Sequence, residues 1–365
     1  MGKKRKKIGV LTSGGDCPGL NAVIRGVVKA SISSGQIEVY GIMDGFSGLI
    51  DKNIIPLDWI KASGILTQGG TILGTSNKAD PFRWPKKNRN GKTTFADVSD
   101  NVVKYIEKQG FDNLVCIGGD GTMTISEKLS KKGVRIIGVP KTIDNDICGT
   151  DITFGFDTAK STATEAIDKI HTTAMSHHRV MVIELMGRYA GWLALEAGIA
   201  GGGDVILIPE LPYELDKIIA EVKRRSKTGR RFSIVVVSEG AKPKGGELTV
   251  KRKIKDSTDP IRLGGIGNKI AQDIETNTGL ETRVTVLGHL QRGGTPTASD
   301  RILATRFGVK AAELCLTGAG GVMIAVRGND IVTVPLTDIA GKNRTVNKDH
   351  PLIQVAKEVG TCMGD

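Results

Sequence analysis

The sequence predicts an α/β fold with mainly parallel sheets. Three observations predict it. Short β-branched runs recur at 8–12, 114–118, 135–139, 180–184, 205–208 and 233–237. They are almost continuously apolar, as parallel strands covered on both faces are. Helical patterns lie between them at 21–33, 122–131, 158–175 and 188–200, and such alternation packs helices on parallel sheets. The 48 glycines follow no G-X-Y period and cluster beside the apolar runs, where turns bring backbone close to a ligand. In such sheets ligands bind beyond the carboxyl ends of the strands.

Composition narrows the function. A chain of 365 residues, 39% hydrophobic and 25% charged, suits about two ordinary domains, or one domain and a large insertion, and excludes extensive disorder. No run approaches the roughly 18 apolar residues of a membrane span. Residues 1–7 are basic and lack the apolar core of a signal peptide. Cys17, Cys116, Cys148, Cys315 and Cys362 are far apart and form no C-x-x-C. That pattern argues a reducing cytoplasm, with neither a disulfide framework nor a zinc site. The net charge of +12 is concentrated in Lys3–Lys7, at 223–231 and at 251–255. No nucleic-acid motif accompanies it, so these read as a solvated tail and exposed basic segments.

Taken in order, the first motif is Gly14-Gly15-Asp16-Cys17-Pro18-Gly19, between a strand and a helix. Backbone N–H groups and the helix dipole there favour phosphate, although a plain tight turn reads the same way. It matches neither the Walker pattern nor G-x-G-x-x-G. Residues 80–94 and 240–258 read as exposed loops. Gly118-Gly119-Asp120-Gly121-Thr122 again joins strand to helix. Asp120 there fits either a Mg²⁺ ligand or a helix cap. Pro140-Lys141-Thr142-Ile143-Asp144-Asn145-Asp146 clusters two carboxylates beside a Lys and a Thr. One can serve as base and the other serve a metal, or the segment is an Asx-rich turn. Met186-Gly187-Arg188-Tyr189-Ala190-Gly191 sets a guanidinium at an expected helix start, where a bound anion would explain it. Arg179, Arg283, His289 and Arg292 are scattered bases suited to phosphate. His177-His178 lacks metal-ligand spacing.

Together with Leu11-Thr12-Ser13 and Val286-Leu287-Gly288-His289-Leu290-Gln291-Arg292-Gly293-Gly294, these ordered motifs resemble the phosphofructokinase family from Ile8 to about Arg306. The resemblance implies two Rossmann-like αβα domains with the active site in the cleft between them. Residues 1–155 plus about 291–341 would bind the phosphoryl donor, and about 156–290 plus 342–365 fructose 6-phosphate. The implied reaction phosphorylates the C1 hydroxyl, giving fructose 1,6-bisphosphate. Asp144 would be the base. Asp120 would bind Mg²⁺, with Asp146 close by. Arg188 and Thr142 would stabilise the transferring group, helped by the N–H of Gly15. Arg179, Arg283, His289 and Arg292 would hold the sugar phosphate, with Met186, Gly187 and Glu239 facing the sugar. Asn77, Lys78, Gly119, Gly121, Thr122 and Lys141 would line the donor side. In the family the arginines matching Arg179 and Arg283 come from a neighbouring subunit, which implies a homo-oligomer, dimer or tetramer.

The donor in this family is ATP or pyrophosphate. Pyrophosphate users usually carry Asp where this chain has Gly121, and a carboxylate there would repel the α-phosphate of ATP. Lys141 occurs in pyrophosphate users and in a mixed group that includes ATP users. The pattern favours ATP, with pyrophosphate as the alternative and a silent sugar-phosphate sensor or nucleic-acid binder as the remote one. Asn77 stands where many ATP users have Arg, and Ile125 where some have Gly. Arg25 and Lys29 match the bacterial effector site, whereas His171 and Thr228 replace basic residues there.

Overall fold

The computed structural model describes residues 5–87, 91–253 and 261–365. The chain opens with β1 (Lys6–Thr12), α1 (Leu20–Ser34), β2 (Ile37–Ile42), α2 (Phe46–Ile50) and β3 (Ile54–Leu57). A hairpin of β4 (Trp84–Lys87) and β5 (Thr93–Ala96) follows, then α3 (Ser99–Gln109), β6 (Asn113–Gly118), α4 (Asp120–Lys131) and β7 (Ile136–Pro140). Next come α5 (Phe156–His177), β8 (Val180–Leu185), α6 (Trp192–Ala200), β9 (Val205–Leu207), α7 (Leu215–Lys227) and β10 (Ser233–Ser238). They are followed by β11 (Val250–Lys253), β12 (Ile261–Leu263), α8 (Ile266–Thr278) and β13 (Thr282–Val286). A 3-10 turn at Gly288–Arg292 leads to α9 (Ala298–Thr317), β14 (Val322–Arg327), β15 (Asp330–Pro335), α10 (Leu336–Ile339) and α11 (Pro351–Glu358).

The strands make two principal sheets. The larger has the order β15-β14-β7-β6-β1-β2-β3, parallel except for the antiparallel edges β3 and β15. The smaller is β13-β8-β10-β9, parallel throughout. Strands β6, β7, β8 and β10 are buried at every residue, which is why they read as unbroken apolar runs. Helix α9 returns to α1, and the two backbones meet at Gly26 and Gly308. A Cβ on Gly308 would lie 2.5 Å from the Val23 carbonyl, so glycine is what permits that approach.

Several expectations are corrected. The polar stretch near 80–94 contains the β4–β5 hairpin, with Trp84 paired to Ala96. Within 240–258, β11 pairs antiparallel with β12, and residues 254–260 lie outside the described set. Helix α6 begins at Trp192, so residues 187–191 form a turn and Arg188 is not at a helix start. Their backbone bonds leave the helical pattern: Gly187 O accepts from Gly240 N at 3.1 Å. Asp120 is the first residue of α4, with Gly119 as its cap. The basic segments are not all solvated. Lys6 Nζ donates to the Cys315 and Leu316 carbonyls at the end of α9, at 3.0 and 2.8 Å. Lys7 lies 4.2 Å from the Tyr40 ring. Arg225 is buried against Asp204 at 2.8 Å. Lys3, Lys4 and Lys255 lie outside the described residues.

Candidate active site

Five strand ends converge on one place: β1, β6 and β7 from the larger sheet, β8 and β10 from the smaller. The loop after β1 is stitched to 74–76. Gly14 N donates to Ser76 O at 3.0 Å, and Thr75 Oγ1 to Gly14 O at 2.7 Å. Lys141, buried at the end of β7, donates from Nζ to Gly15 O. Arg292 Nη1 donates to Asp16 O at 3.0 Å. A Cβ on Gly15 would lie 2.7 Å from that guanidinium, so glycine lets Arg292 reach across.

The carboxylates sit behind this loop. Asp144 N donates to Thr142 Oγ1 at 3.0 Å. Buried oxygens of Asp120 and Asp144 have no hydrogen-bond partner among the described residues. Burial pushes the Asp144 carboxyl up to about 7, with the Asp146 carboxylate adding to the push, while Arg292 and Lys141 pull it back. Asp146 is raised by burial and partly restored by a hydrogen bond from Thr142. Asp120 is raised by burial and then by Asp146. Glu239, at the end of β10, is raised by burial and then by Glu184, against Arg292 and Arg188. Burial pushes Lys141 down. Burial, which disfavours the charged form of each group, is the largest cause of every one of these shifts, and the carboxylates add mutual repulsion.

This donor set fits Mg²⁺. No cluster of three or more His, Cys, Asp or Glu suited to a metal occurs among the described residues. Mg²⁺ usually takes only one or two carboxylates and draws its other oxygens from substrate phosphates and water. Asp120 and Asp146, two mutually repelling carboxylates with an orphaned buried oxygen, meet that requirement.

The other anticipated residues fall as follows. Thr122 is buried in the first turn of α4. Gly119 caps that helix, and Gly121 is exposed beside it. A Cβ at Gly121 would meet nothing within 4 Å, so the protein's own packing does not require glycine there. Asn77 and Lys78 are exposed on the loop that meets Gly14. Ile125 packs partly against the core. Met186, Gly187 and Arg188 lie in the turn after β8, where Ser238 Oγ donates to Gly187 O. His289 is exposed on the 3-10 turn that ends at Arg292.

Arg179 and Arg283 are not brought to this site within one chain. Both lie at the opposite ends of β8 and β13, paired with Glu281. A six-residue strand is about 20 Å long, too far for either side chain to reach back. At the expected effector positions, Lys29 lies 4.1 Å from the Trp59 ring, and His171 meets Phe232 edge-on.

Sequence reasoning passed over Glu184. It is buried at the end of β8 and accepts from Gly267 N at 2.8 Å and Gly265 N at 3.1 Å, which fixes the start of α8. A lone carboxylate in an otherwise apolar strand was the available signal.

A family model described as phosphofructokinase matches residues 7–315. The chain belongs to the phosphofructokinase family. A relative from Clostridium perfringens, named ATP-dependent 6-phosphofructokinase 2, is 52% identical over 99% of each chain. Another from Amycolatopsis mediterranei, named pyrophosphate–fructose 6-phosphate 1-phosphotransferase, is 48% identical over 93% of this chain and 96% of its own. Among solved structures, Pichia pastoris phosphofructokinase in the T-state aligns at TM-score 0.78 with 33% identity, over 99% of this chain and 37% of that one.

Proposed function

We propose that this family member is an ATP-dependent 6-phosphofructokinase, making fructose 1,6-bisphosphate from fructose 6-phosphate. The observation that carries the donor is Gly121. It is exposed at the start of α4, with open space where a side chain would stand. That leaves room for an α-phosphate and adds no negative charge. The name of the Clostridium perfringens relative supports the same donor.

Asp144 is the base that accepts the C1 proton. Its raised pKa holds it near the working pH, where a general base is most effective. Asp120 and Asp146 would hold Mg²⁺, which when bound neutralises charge on the phosphate oxygens. Arg188 and the Thr142 hydroxyl face the transferring phosphoryl group, and Gly15 N–H donates to it. Lys141, Gly119, Thr122, Asn77 and Lys78 line the donor side. Arg292, His289, Met186, Gly187 and Glu239 form the sugar side.

Arg179 and Arg283 then complete the sugar-phosphate site of a neighbouring copy, since they cannot serve their own. A homo-oligomer of two or four chains follows. No helix among the described residues is long and apolar enough to cross a membrane.

The second reading is a pyrophosphate donor. Lys141 supports it, because its buried ammonium lies beside Gly15, as does the Amycolatopsis relative's name. The test is fructose 1,6-bisphosphate formation with Mg²⁺ and either donor. Turnover with ATP alone supports the proposal, turnover with pyrophosphate alone supports the second reading, and turnover with neither overturns both.

A further inference from the structure

The carboxylates of 144–146 and the guanidinium of Arg188 belong to different sheets, yet phosphoryl transfer requires them in fixed register. Residues 343–346 touch both. On one side, Asn343 bridges antiparallel to Ile147. Arg344 N donates to Asp146 O at 2.7 Å, and Arg344 Nη1 donates to Asn145 O at 3.1 Å. Asn145 needs such support. It is a non-glycine residue at φ 52°, held also by Thr153 N donating to its Oδ1 at 3.0 Å.

On the other side, Trp192 Nε1 donates to Arg344 O at 3.1 Å, and the Arg344 guanidinium lies 4.2 Å from the Trp192 ring centre. Val346 N donates to Glu210 Oε1 at 2.8 Å. The same carboxylate accepts from Gly191 N at 3.0 Å. Gly191 and Trp192 begin α6, directly after the turn that carries Arg188.

We propose that Arg344 is a positioning residue, and that the 343–346 strap sets the spacing between the Asp144 loop and the Arg188 turn. Arg344 forms no ion pair among the described residues. Its guanidinium goes to a carbonyl and a ring, so its task is geometric. The inference rests on the roles given above to Asp144 and Arg188.

The test compares the full-length parent, Arg344→Met and Arg344→Lys, each also in an Asp144→Ser background. Arg344→Met lowers kcat about 100-fold, the cost of a misplacement near 1 Å. KM for fructose 6-phosphate stays within about threefold. Arg344→Lys recovers part of the rate, because an ammonium can still reach the Asn145 carbonyl. In the Asp144→Ser background Arg344→Met costs little more, since the group it positions is gone. Amide exchange also quickens in both 142–147 and 187–191 in Arg344→Met.

Parental kcat in Arg344→Met overturns the proposal. So does an equal fractional loss in the Asp144→Ser background, which marks a merely structural role. If the parent itself makes no fructose 1,6-bisphosphate, the functional reading fails, and amide exchange alone decides the strap. Unchanged exchange in either segment overturns it.

Discussion

Replacing Gly121 by Asp isolates the donor question. The substitution fits the fold. Gly121 is the second residue of α4, exposed, and an added Cβ meets nothing within 4 Å. Leaving glycine behind gains a few tenths of a kcal/mol of helix propensity, and a carboxylate in a first helical turn gains about 0.3–1 kcal/mol. The neighbouring Asp120 offsets part of that gain, so melting should hardly change. The cost falls on ATP. A new charge about 6 Å from the α-phosphate, at an effective dielectric near 20, repels by roughly 3 kcal/mol, or about 100-fold in kcat/KM. Pyrophosphate has no group at that position and escapes the penalty. The assay measures kcat/KM for each donor at saturating fructose 6-phosphate, with thermal melting as the folding control. ATP kcat/KM within about threefold of the parent, at unchanged melting, would refute the placement of Gly121 against the donor. Equal loss with both donors would refute the charge argument.

The remaining predictions concern the carboxylates and Arg188. Asp144→Asn should abolish most turnover while fructose 6-phosphate still binds by calorimetry; near-normal kcat removes Asp144 as the base. The same variant should melt higher than the parent above pH 7, with the difference vanishing near pH 4. Because Asp144 is raised to about 7 when folded, the native chain holds more protons than the unfolded one between about pH 4 and 7, and stability falls as pH rises through that window. For the parent, kcat/KM should fall as pH drops below about 7, as Asp144 protonates in the free enzyme; a flat profile from pH 6 to 8 contradicts that assignment. Arg188→Met should cost about 10²–10³ in kcat if it acts on the developing charge. A change confined to KM would make it a ground-state binder.

The sequence by itself determined the fold class and where the candidate site residues fall along the chain. Parallel strands are buried on both faces, so β6, β7, β8 and β10 announce themselves as apolar runs. Ligands bind at strand ends, so the motifs after them, from Gly14 to Arg188, could be read in order. Edge elements were less legible. The β4–β5 hairpin is largely exposed and polar, which resembles a loop. Arg188 looked like a helix start because Gly187 and Gly191 both punctuate the same segment, and only the bonds from Ser238 and Gly240 show that the turn continues to Trp192.

Tertiary structure alone decided the rest. Arg344 lies 199 residues from Asn145, and no local pattern marks a contact of that span. The pairing of Arg179 and Arg283 with Glu281 at the far ends of β8 and β13 depends on how those strands align. The raised pKa of Asp144 likewise comes from burial beside Asp146 and Glu239, on two different sheets. Residue type and spacing supply the chemical groups; desolvation and distance, which set their strength, exist only once the chain has closed around them.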